Sequence, residues 1–123
     1  MELIFYDSEG KPVSYTEDFE HIYLFSGEPV AYFNNDSIYS FSGGHLGGFK
    51  NGWARDNNGQ CVFFTENATG GPLKPMKMMK PMKSLKQMRP MKRMKEMQPM
   101  KPMDSLSWSE LSGEQFFKQN GGN

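Results

Sequence analysis

The chain has 123 residues, a formal net charge of zero and a single cysteine, Cys61. This length allows one domain with a tail, and one cysteine excludes an internal disulfide. The N-terminus lacks a positively charged segment followed by an apolar run, and no stretch approaches the roughly 20 apolar residues of a membrane span. The composition therefore predicts a cytoplasmic protein.

A short unit is repeated four times between Phe5 and Phe64. Glycines recur at spacings of 17, 16 and 16 residues, at Gly10, Gly27, Gly43 and Gly59. Three residues after each glycine stands an aliphatic residue: Val13, Val30, Leu46 or Val62. Strand-forming runs around a glycine turn are typical of β-hairpins. Four such runs at one period predict an all-β domain of four pseudo-symmetric hairpins, assigned to residues 1–71, with the four aliphatic residues at equivalent buried positions.

The two faces of each predicted strand carry different residues, because strand side chains point to opposite faces in turn. Five residues before each glycine the chain has Phe5, Ile22, Ile38 and Ala54, and four residues before it has Tyr6, Tyr23, Tyr39 and Arg55. The second repeat is apolar on both faces, which predicts either packing on both sides or one face open to a ligand or partner. The fourth repeat, at residues 54–57, is more polar and is expected to be the solvated one.

Residues 72–104 form a second repeat, with a period of three. From Pro75 onward the second residue of every triplet is Met or Leu, and the third is nearly always Lys or Arg. An α-helix would spread both residue types around its axis, whereas a polyproline II helix has three residues per turn and keeps each type on one face. The pattern predicts an extended polyproline-II-like arm with a methionine face and a cationic face.

The last segment, residues 105–123, changes composition again. Ser107 to Glu110 and Ser112 to Gln115 match the capping-box pattern of helix starts. The segment is therefore predicted to be a short helical anchor that returns to the domain, so that the arm is held at both ends. The large apolar residues of this anchor are Trp108, Leu111, Phe116 and Phe117.

Charge is divided between the predicted segments. Residues 1–73 carry three Lys or Arg against ten Asp or Glu, a net charge of −7, and residues 74–104 carry ten against two, a net charge of +8. We therefore expect the arm to dock on an acidic surface, either that of its own domain or that of another subunit. Because exposed ion pairs are weak, burial of the methionine face is expected to dominate this docking.

The order of these features resembles the four-fold β-flower domain family of bacterial proteins. The resemblance rests on the repeated hairpins, the exit at residues 70–72, the Lys/Pro triplets and the ending at residues 105–111. It implies the four-hairpin fold and no established activity, so no catalytic residue is carried over. The nearest fold analogy is with tubby-like domains, some of which bind phosphoinositide lipids. The chain departs from its relatives by placing methionine where they tend to have proline.

These observations predict a non-enzymatic structural or binding module. No carboxylate stands at a readable spacing from a plausible base, so no catalytic residue is predicted. No cofactor-binding or metal-ligating residue is predicted either, because His21 and His45 fall in different slots of the repeat, as packing or surface histidines do.

Several external partners remain open for the arm. The first alternative is peripheral binding to anionic membrane lipid, with methionines in the bilayer interface and lysines on the head groups. Soft metal ions are a lower alternative, because thioethers bind them while the neighbouring lysines repel cations. Nucleic acid is disfavoured because no aromatic residues interleave with the lysines, and a second copy of the chain is a further candidate. The residues expected to contact a partner or lipid are Lys77, Lys80, Lys83, Lys86, Arg89, Lys92, Met76, Met79, Met82, Met88 and Met91.

Overall fold

A computed structural model of the chain describes residues 2–111 and 113–121. Eight antiparallel strands close into a barrel in sequence order. They are β1 (Leu3–Tyr6), β2 (Pro12–Thr16), β3 (His21–Leu24), β4 (Pro29–Asn34), β5 (Ser37–Tyr39), β6 (His45–Lys50), β7 (Trp53–Asp56) and β8 (Cys61–Phe64). The pairs β1–β2, β3–β4, β5–β6 and β7–β8 are the four hairpins. The predicted all-β fold of four pseudo-symmetric hairpins is therefore confirmed.

The barrel interior is filled by the apolar residues that the repeat places at equivalent positions. The second residue of each even-numbered strand is one of the four predicted aliphatic residues. Val30, Leu46 and Val62 are buried in the interior cluster, as predicted, while Val13 is half-buried against it. Each odd-numbered strand also contributes to this cluster, through Phe5, Ile22, Ile38 and Ala54.

The C-terminal segment completes this interior. A 3₁₀-helix spans Gly113–Gly121 and buries both Phe116 and Phe117 in the interior cluster. The centroids of both rings lie 5.6 Å from that of Phe63. The predicted helical anchor is therefore a 3₁₀-helix that enters the barrel, although the predicted cap at Ser112 lies outside the described residues.

Residues 73–105, between the hairpins and this helix, belong to no helix or strand. They are extended, which excludes a continuous α-helix there, and the polyproline II conformation itself stays a prediction. Within the part of the chain that the structure describes, no helix is long and apolar enough to cross a membrane.

The expectation that the fourth repeat is solvated is wrong. All four residues of β7 are buried, including Arg55 and Asp56. The segment that follows the arm covers this strand: Arg55 donates to the Ser105 carbonyl, and Ser109 donates to the Asp56 carboxylate. Trp108 packs nearby, with its ring centroid 5.6 Å from that of Trp53. Polar residues are buried here because the rest of the chain supplies their hydrogen-bond partners.

Val30→Ala is expected to lower the free energy of unfolding by about 1–3 kcal/mol, because it removes buried methyl groups from the interior. Val13→Ala is the matched control: it makes the same change at the equivalent but half-buried position, and its effect should be smaller. Urea denaturation of both variants measures the difference. Equal losses would show that the two positions are not distinguished by burial.

The arm-covered outer surface as candidate functional site

The arm passes the four hairpins in chain order and advances nine residues for each. At every step one arm N–H donates to the carbonyl of a hairpin glycine, at 2.8–3.0 Å. The donor and acceptor pairs are Met78 and Gly10, Gln87 and Gly27, Glu96 and Gly43, and Ser105 and Gly59. Because the barrel is closed, these four contacts, three nine-residue steps apart from first to last, carry the arm around it.

The hairpin glycines leave room for the arm backbone. Each has a positive φ, between 83° and 102°, a conformation that side chains other than glycine rarely adopt. A Cβ atom on any of them would also stand 2.0–2.1 Å from an arm carbonyl oxygen, that of Met76, Leu85, Met94 or Met103. Glycine is thus required twice, once by the turn and once by the arm.

Aromatic pairs line the outer face of the barrel under the arm. We call each contact between neighbouring strands of different hairpins a seam. Three of the four seams carry a cross-strand pair of stacked rings, with centroids 5.3–6.0 Å apart. The pairs are Tyr15 with Tyr23, Tyr32 with Tyr39, and Phe64 with Tyr6. At the remaining seam, between β6 and β7, the corresponding pair is Gly48 with Arg55.

Arm lysines lie over these rings. The Nζ atoms of Lys83 and Lys92 each lie 4.5 Å from a ring centroid, that of Tyr15 and of Tyr32 respectively. Lys77 lies 5.7 Å from the Tyr6 centroid and Lys86 lies 5.4 Å from that of Tyr23. These distances are within the range of cation–π attraction.

The same lysines reach acidic residues at the opposite ends of the strands. The separations are 2.6 Å for Lys77 and Glu66, 2.7 Å for Lys80 and Glu2, 2.6 Å for Lys83 and Glu17, and 2.9 Å for Lys92 and Glu20. Lys83 also pairs with Glu2, and Lys86 with Glu17. Hydrogen bonds from Lys83 and Lys86 lower the pKa of Glu17 from 4.5 to about 2. Lysine hydrogen bonds likewise hold the pKa values of Glu2, Glu20 and Glu66 below their ordinary range.

The structure divides the predicted contact residues into two sets. Lys77, Lys80, Lys83, Lys86 and Lys92 point to the barrel through the contacts above, as does Arg89, whose Nη1 lies 3.2 Å from His21 Nδ1. Met76, Met79, Met82, Met88 and Met91 point away from it, with 88–93% of the surface of four of them exposed and 94% of Met88.

The expectation that methionine burial holds the arm in place is therefore wrong. The inner side of the arm is occupied by lysine side chains and by the backbone groups that meet the hairpin glycines. With a three-residue period only one stripe can face the barrel, and the tyrosine rings and carboxylates beneath it attract the cationic stripe. The methionines are left on the solvent side.

The nine-residue step is not evident in the sequence, because the stronger three-residue pattern conceals it. Proline carries the signal, at positions 72, 81, 90 and 99. A second signal is that two residues depart from the pattern in the fourth repeat, one in the hairpin and one in the arm. Arg55 stands where the other hairpins have Tyr6, Tyr23 and Tyr39, and Asp104 stands where the arm elsewhere has Lys77, Lys86 and Lys95. The exchanged residues meet, since Asp104 Oδ1 lies 3.6 Å from Arg55 Nε.

The two histidines are buried and hydrogen-bonded. His21 Nδ1 lies 2.7 Å from Asp18 Oδ2, and the ring nitrogens of His45 lie 2.8 Å from Asn57 Oδ1 and 2.9 Å from Ser37 Oγ. Over residues 2–111 and 113–121, no group of three or more His, Cys, Asp or Glu residues is placed to hold a metal ion.

A closed barrel of four hairpins, with an arm bound to it at four equally spaced points, defines a class of β proteins with internal fourfold pseudo-symmetry. The chain belongs to the 4-fold beta flower protein family, whose family model matches residues 4–117. The match covers the hairpins, the arm and both buried phenylalanines of the 3₁₀-helix. This is a family of unknown function. No curated protein and no solved structure matches the chain.

Gly27→Ala is expected to displace the arm, because the added Cβ would lie 2.1 Å from the Leu85 carbonyl oxygen. Trypsin should then cut the Lys86–Gln87 bond faster than in the unmodified protein. Gly70→Ala is the matched control, since Gly70 also has a positive φ but a Cβ there would have nothing within 4 Å. Both variants carry backbone strain, and only Gly27→Ala should expose the arm. Equal cleavage rates in the two variants would contradict the close contact.

Acidification is expected to weaken the arm contacts. The pKa of Glu17 is lowered in the folded protein, so its contribution to stability is full above its ordinary pKa of 4.5 and is lost as the pH falls towards about 2. Glu17→Gln should flatten the fall in urea midpoint between neutral pH and about pH 3. Glu9→Gln is the control, because Glu9 is exposed and makes no ion pair within the described residues. A Glu17→Gln profile identical to that of Glu9→Gln would sink the idea.

Proposed function

We propose that this protein is a non-enzymatic binding module in which the arm, docked through its cationic face on the acidic barrel, displays its methionines to a partner. The displayed surface, here called the methionine belt, consists of Met76, Met79, Met82, Leu85, Met88, Met91, Met94, Met97, Met100 and Met103. The partner proposed first is an apolar surface of another protein, beginning with a second copy of this chain.

The observation that carries the proposal is the exposure of the belt. Its ten side chains are each 88–94% exposed. Soluble proteins seldom leave a continuous apolar surface of this length uncovered unless it binds something. Methionine suits such a surface because its flexible, polarisable side chain adapts to partners of different shape.

The ion pairs of the arm support an apolar rather than an electrostatic contact. Lys77, Lys80, Lys83, Lys86 and Lys92 are engaged with carboxylates of the barrel. Their charges are therefore largely neutralised within the molecule. What remains for an external partner is mainly thioether and methylene surface.

Peripheral binding to anionic membrane lipid is the second candidate, favoured by the outward direction of the same methionines. Arm cations that form no ion pair among the described residues support it, and Lys95 and Lys101 are two of them. Insertion of the belt into the bilayer interface would add the apolar contribution, and these two lysines the attraction to head groups.

A variant of the belt tests both candidates. Met79→Gln, Met88→Gln and Met97→Gln together keep side-chain length while removing apolar character at three positions that are 93–94% exposed. The paired Lys95→Gln and Lys101→Gln substitutions form the matched charge control on the same arm. Analytical ultracentrifugation over a concentration series measures self-association, and co-sedimentation with phosphatidylcholine vesicles, with and without phosphatidylserine, measures membrane binding.

Under the first candidate, the unmodified protein sediments as a species larger than its 14.1 kDa monomer, the belt variant as a monomer, and the lysine control as the unmodified protein does. Under the second, the protein pellets with phosphatidylserine vesicles, and both variants lose this binding. A protein that is monomeric at every concentration and stays in the supernatant with both vesicle types would overturn the proposal.

A further inference from the structure

The seam between β6 and β7 contains a cavity where the other three seams contain stacked rings. Gly48 and Arg55 form the cross-strand pair at this seam, and the cavity beside them has a volume of about 190 Å³. The barrel supplies one wall, and the other is formed by Gln98, Pro99, Lys101, Pro102 and Asp104 of the arm.

The barrel does not require glycine at position 48. Gly48 lies outside the positive-φ region, and a Cβ there would make only an ordinary contact, 3.4 Å from the Asp36 carbonyl oxygen. Its neighbour Gly47 is different, because a Cβ there would stand 1.9 Å from the Arg55 carbonyl oxygen. At the other three seams the equivalent space is filled by Tyr15, Tyr32 or Phe64. The backbone would accept a side chain at position 48 as well, so it does not require this space to be empty.

Arg55 lines this cavity and has a buried Nε without a hydrogen-bond acceptor in the described part of the chain. Its side chain is 9% exposed, and its terminal nitrogens donate to the carbonyls of Gly59, Ser105 and Gly70. Its Nε is buried and has no hydrogen-bond acceptor among the described residues. The nearest carboxylate oxygen is that of Asp104, at 3.6 Å, which is beyond hydrogen-bonding distance. A buried donor without an acceptor is destabilising, so a ligand that supplies one would be favoured.

The arm places a lysine over this cavity as it does over the rings. Lys83 and Lys92 lie over Tyr15 and Tyr32, and the next nine-residue step brings Lys101 to the cavity wall. Lys101 has no ion pair within the described chain. Its counterpart Lys92 pairs with Glu20, whereas the acidic residue in the equivalent place here is the shorter Asp36, which also lines the cavity.

Apart from Asp36, the remaining ionisable groups at the cavity already have partners. Lys50 pairs with Asp104, and the Asp56 carboxylate accepts from the Asn58 and Gln60 amides. Burial lowers the pKa of His45, and its ring nitrogens are engaged by Asn57 and Ser37. Arg55 Nε, 3.6 Å from Asp104 Oδ1, lacks a hydrogen-bond acceptor among the described residues, and Lys101 lacks an ion pair there, so a donor and a cation are left for a ligand beside the Asp36 carboxylate.

We propose that this cavity binds a small aromatic carboxylate. The ring takes the place of the missing seam aromatic, against the Arg55 guanidinium and beneath Lys101, and a carboxylate oxygen accepts from Arg55 Nε. Guanidinium groups stack on aromatic faces and bind carboxylates, which suits one residue to both parts of such a ligand. The size agrees, because a cavity of about 150 Å³ accommodates benzene. This site lies on the inner side of the arm and is independent of the methionine belt.

Binding of benzoate to the full-length protein, followed by amide chemical-shift changes, tests the site. The shifts are expected to centre on residues 48–50, 55 and 98–104. Cyclohexanecarboxylate, which keeps the carboxylate without the aromatic ring, should bind roughly tenfold more weakly. Benzyl alcohol, which keeps the ring without the charge, should also bind more weakly than benzoate.

Gly48→Tyr places at this seam the residue found at the equivalent positions 15 and 32 and should weaken benzoate binding by at least about tenfold. Gly48→Ala is the matched control: it adds one methyl group that makes only an ordinary van der Waals contact, and it should retain binding. Thermal unfolding midpoints establish that both variants are folded. The proposal is overturned if benzoate produces no localised shifts, or if folded Gly48→Tyr binds it as the unmodified protein does. Equal binding of cyclohexanecarboxylate and benzoate would overturn the aromatic assignment.

Discussion

The backbone contact between the arm and the four hairpin glycines is the constraint on which the rest of the structure depends. Each hairpin glycine accepts a hydrogen bond through its carbonyl from an N–H that recurs every nine residues, and the Phe25 and Phe41 carbonyls accept two more, from Ser84 and Arg93. Nine is three triplets, so the three-residue pattern returns in phase at every hairpin. The same side-chain types therefore contact the same part of each hairpin. The contacts of the arm thus repeat once per hairpin, although its sequence is unrelated to that of the hairpins.

This phase match determines which stripe of the arm faces inward. Lysine side chains lie over the tyrosine rings and continue to the glutamates, so one residue makes both a cation–π contact and an ion pair. Each exposed ion pair contributes little alone. The backbone hydrogen bonds to the four hairpin glycines hold the arm at regular intervals, and the buried phenylalanines of the 3₁₀-helix hold its end. The ion pairs add to these contacts.

The fold could be predicted from the sequence, because the spacing of Gly10, Gly27, Gly43 and Gly59 reflects a local turn geometry that other residues adopt less readily. Three of the four aliphatic residues that follow, Val30, Leu46 and Val62, are buried as the repeat predicts, and Val13 is half-buried. The sequence does not predict that the methionines face solvent. A three-residue period places methionines and lysines on separate faces of the arm but does not determine which face contacts the barrel. That depends on the tyrosines and glutamates of the barrel, which are distant in sequence.

The cavity at the β6–β7 seam was also beyond sequence reasoning, although its residues are close in the chain. Gly48 is one glycine among several near a turn, and Arg55 was interpreted as a mark of a solvated strand. Only the strand pairing brings these two residues opposite each other. Only the comparison with the stacked rings of the other seams shows that something is missing between them.

The burial of Phe116 and Phe117 inside the barrel has a consequence for how the molecule is made. Both rings pack on Phe63, and Gln119 donates to the Leu46 carbonyl, a partner more than seventy positions earlier. A ribosome adds roughly 5–20 residues per second, so the hairpins emerge seconds before the rings that complete their core. The interior of the hairpins therefore stays incompletely packed until the arm has been synthesised and has bound along all four of them. Vectorial synthesis therefore makes the 3₁₀-helix the element that completes the core of hairpins synthesised before it.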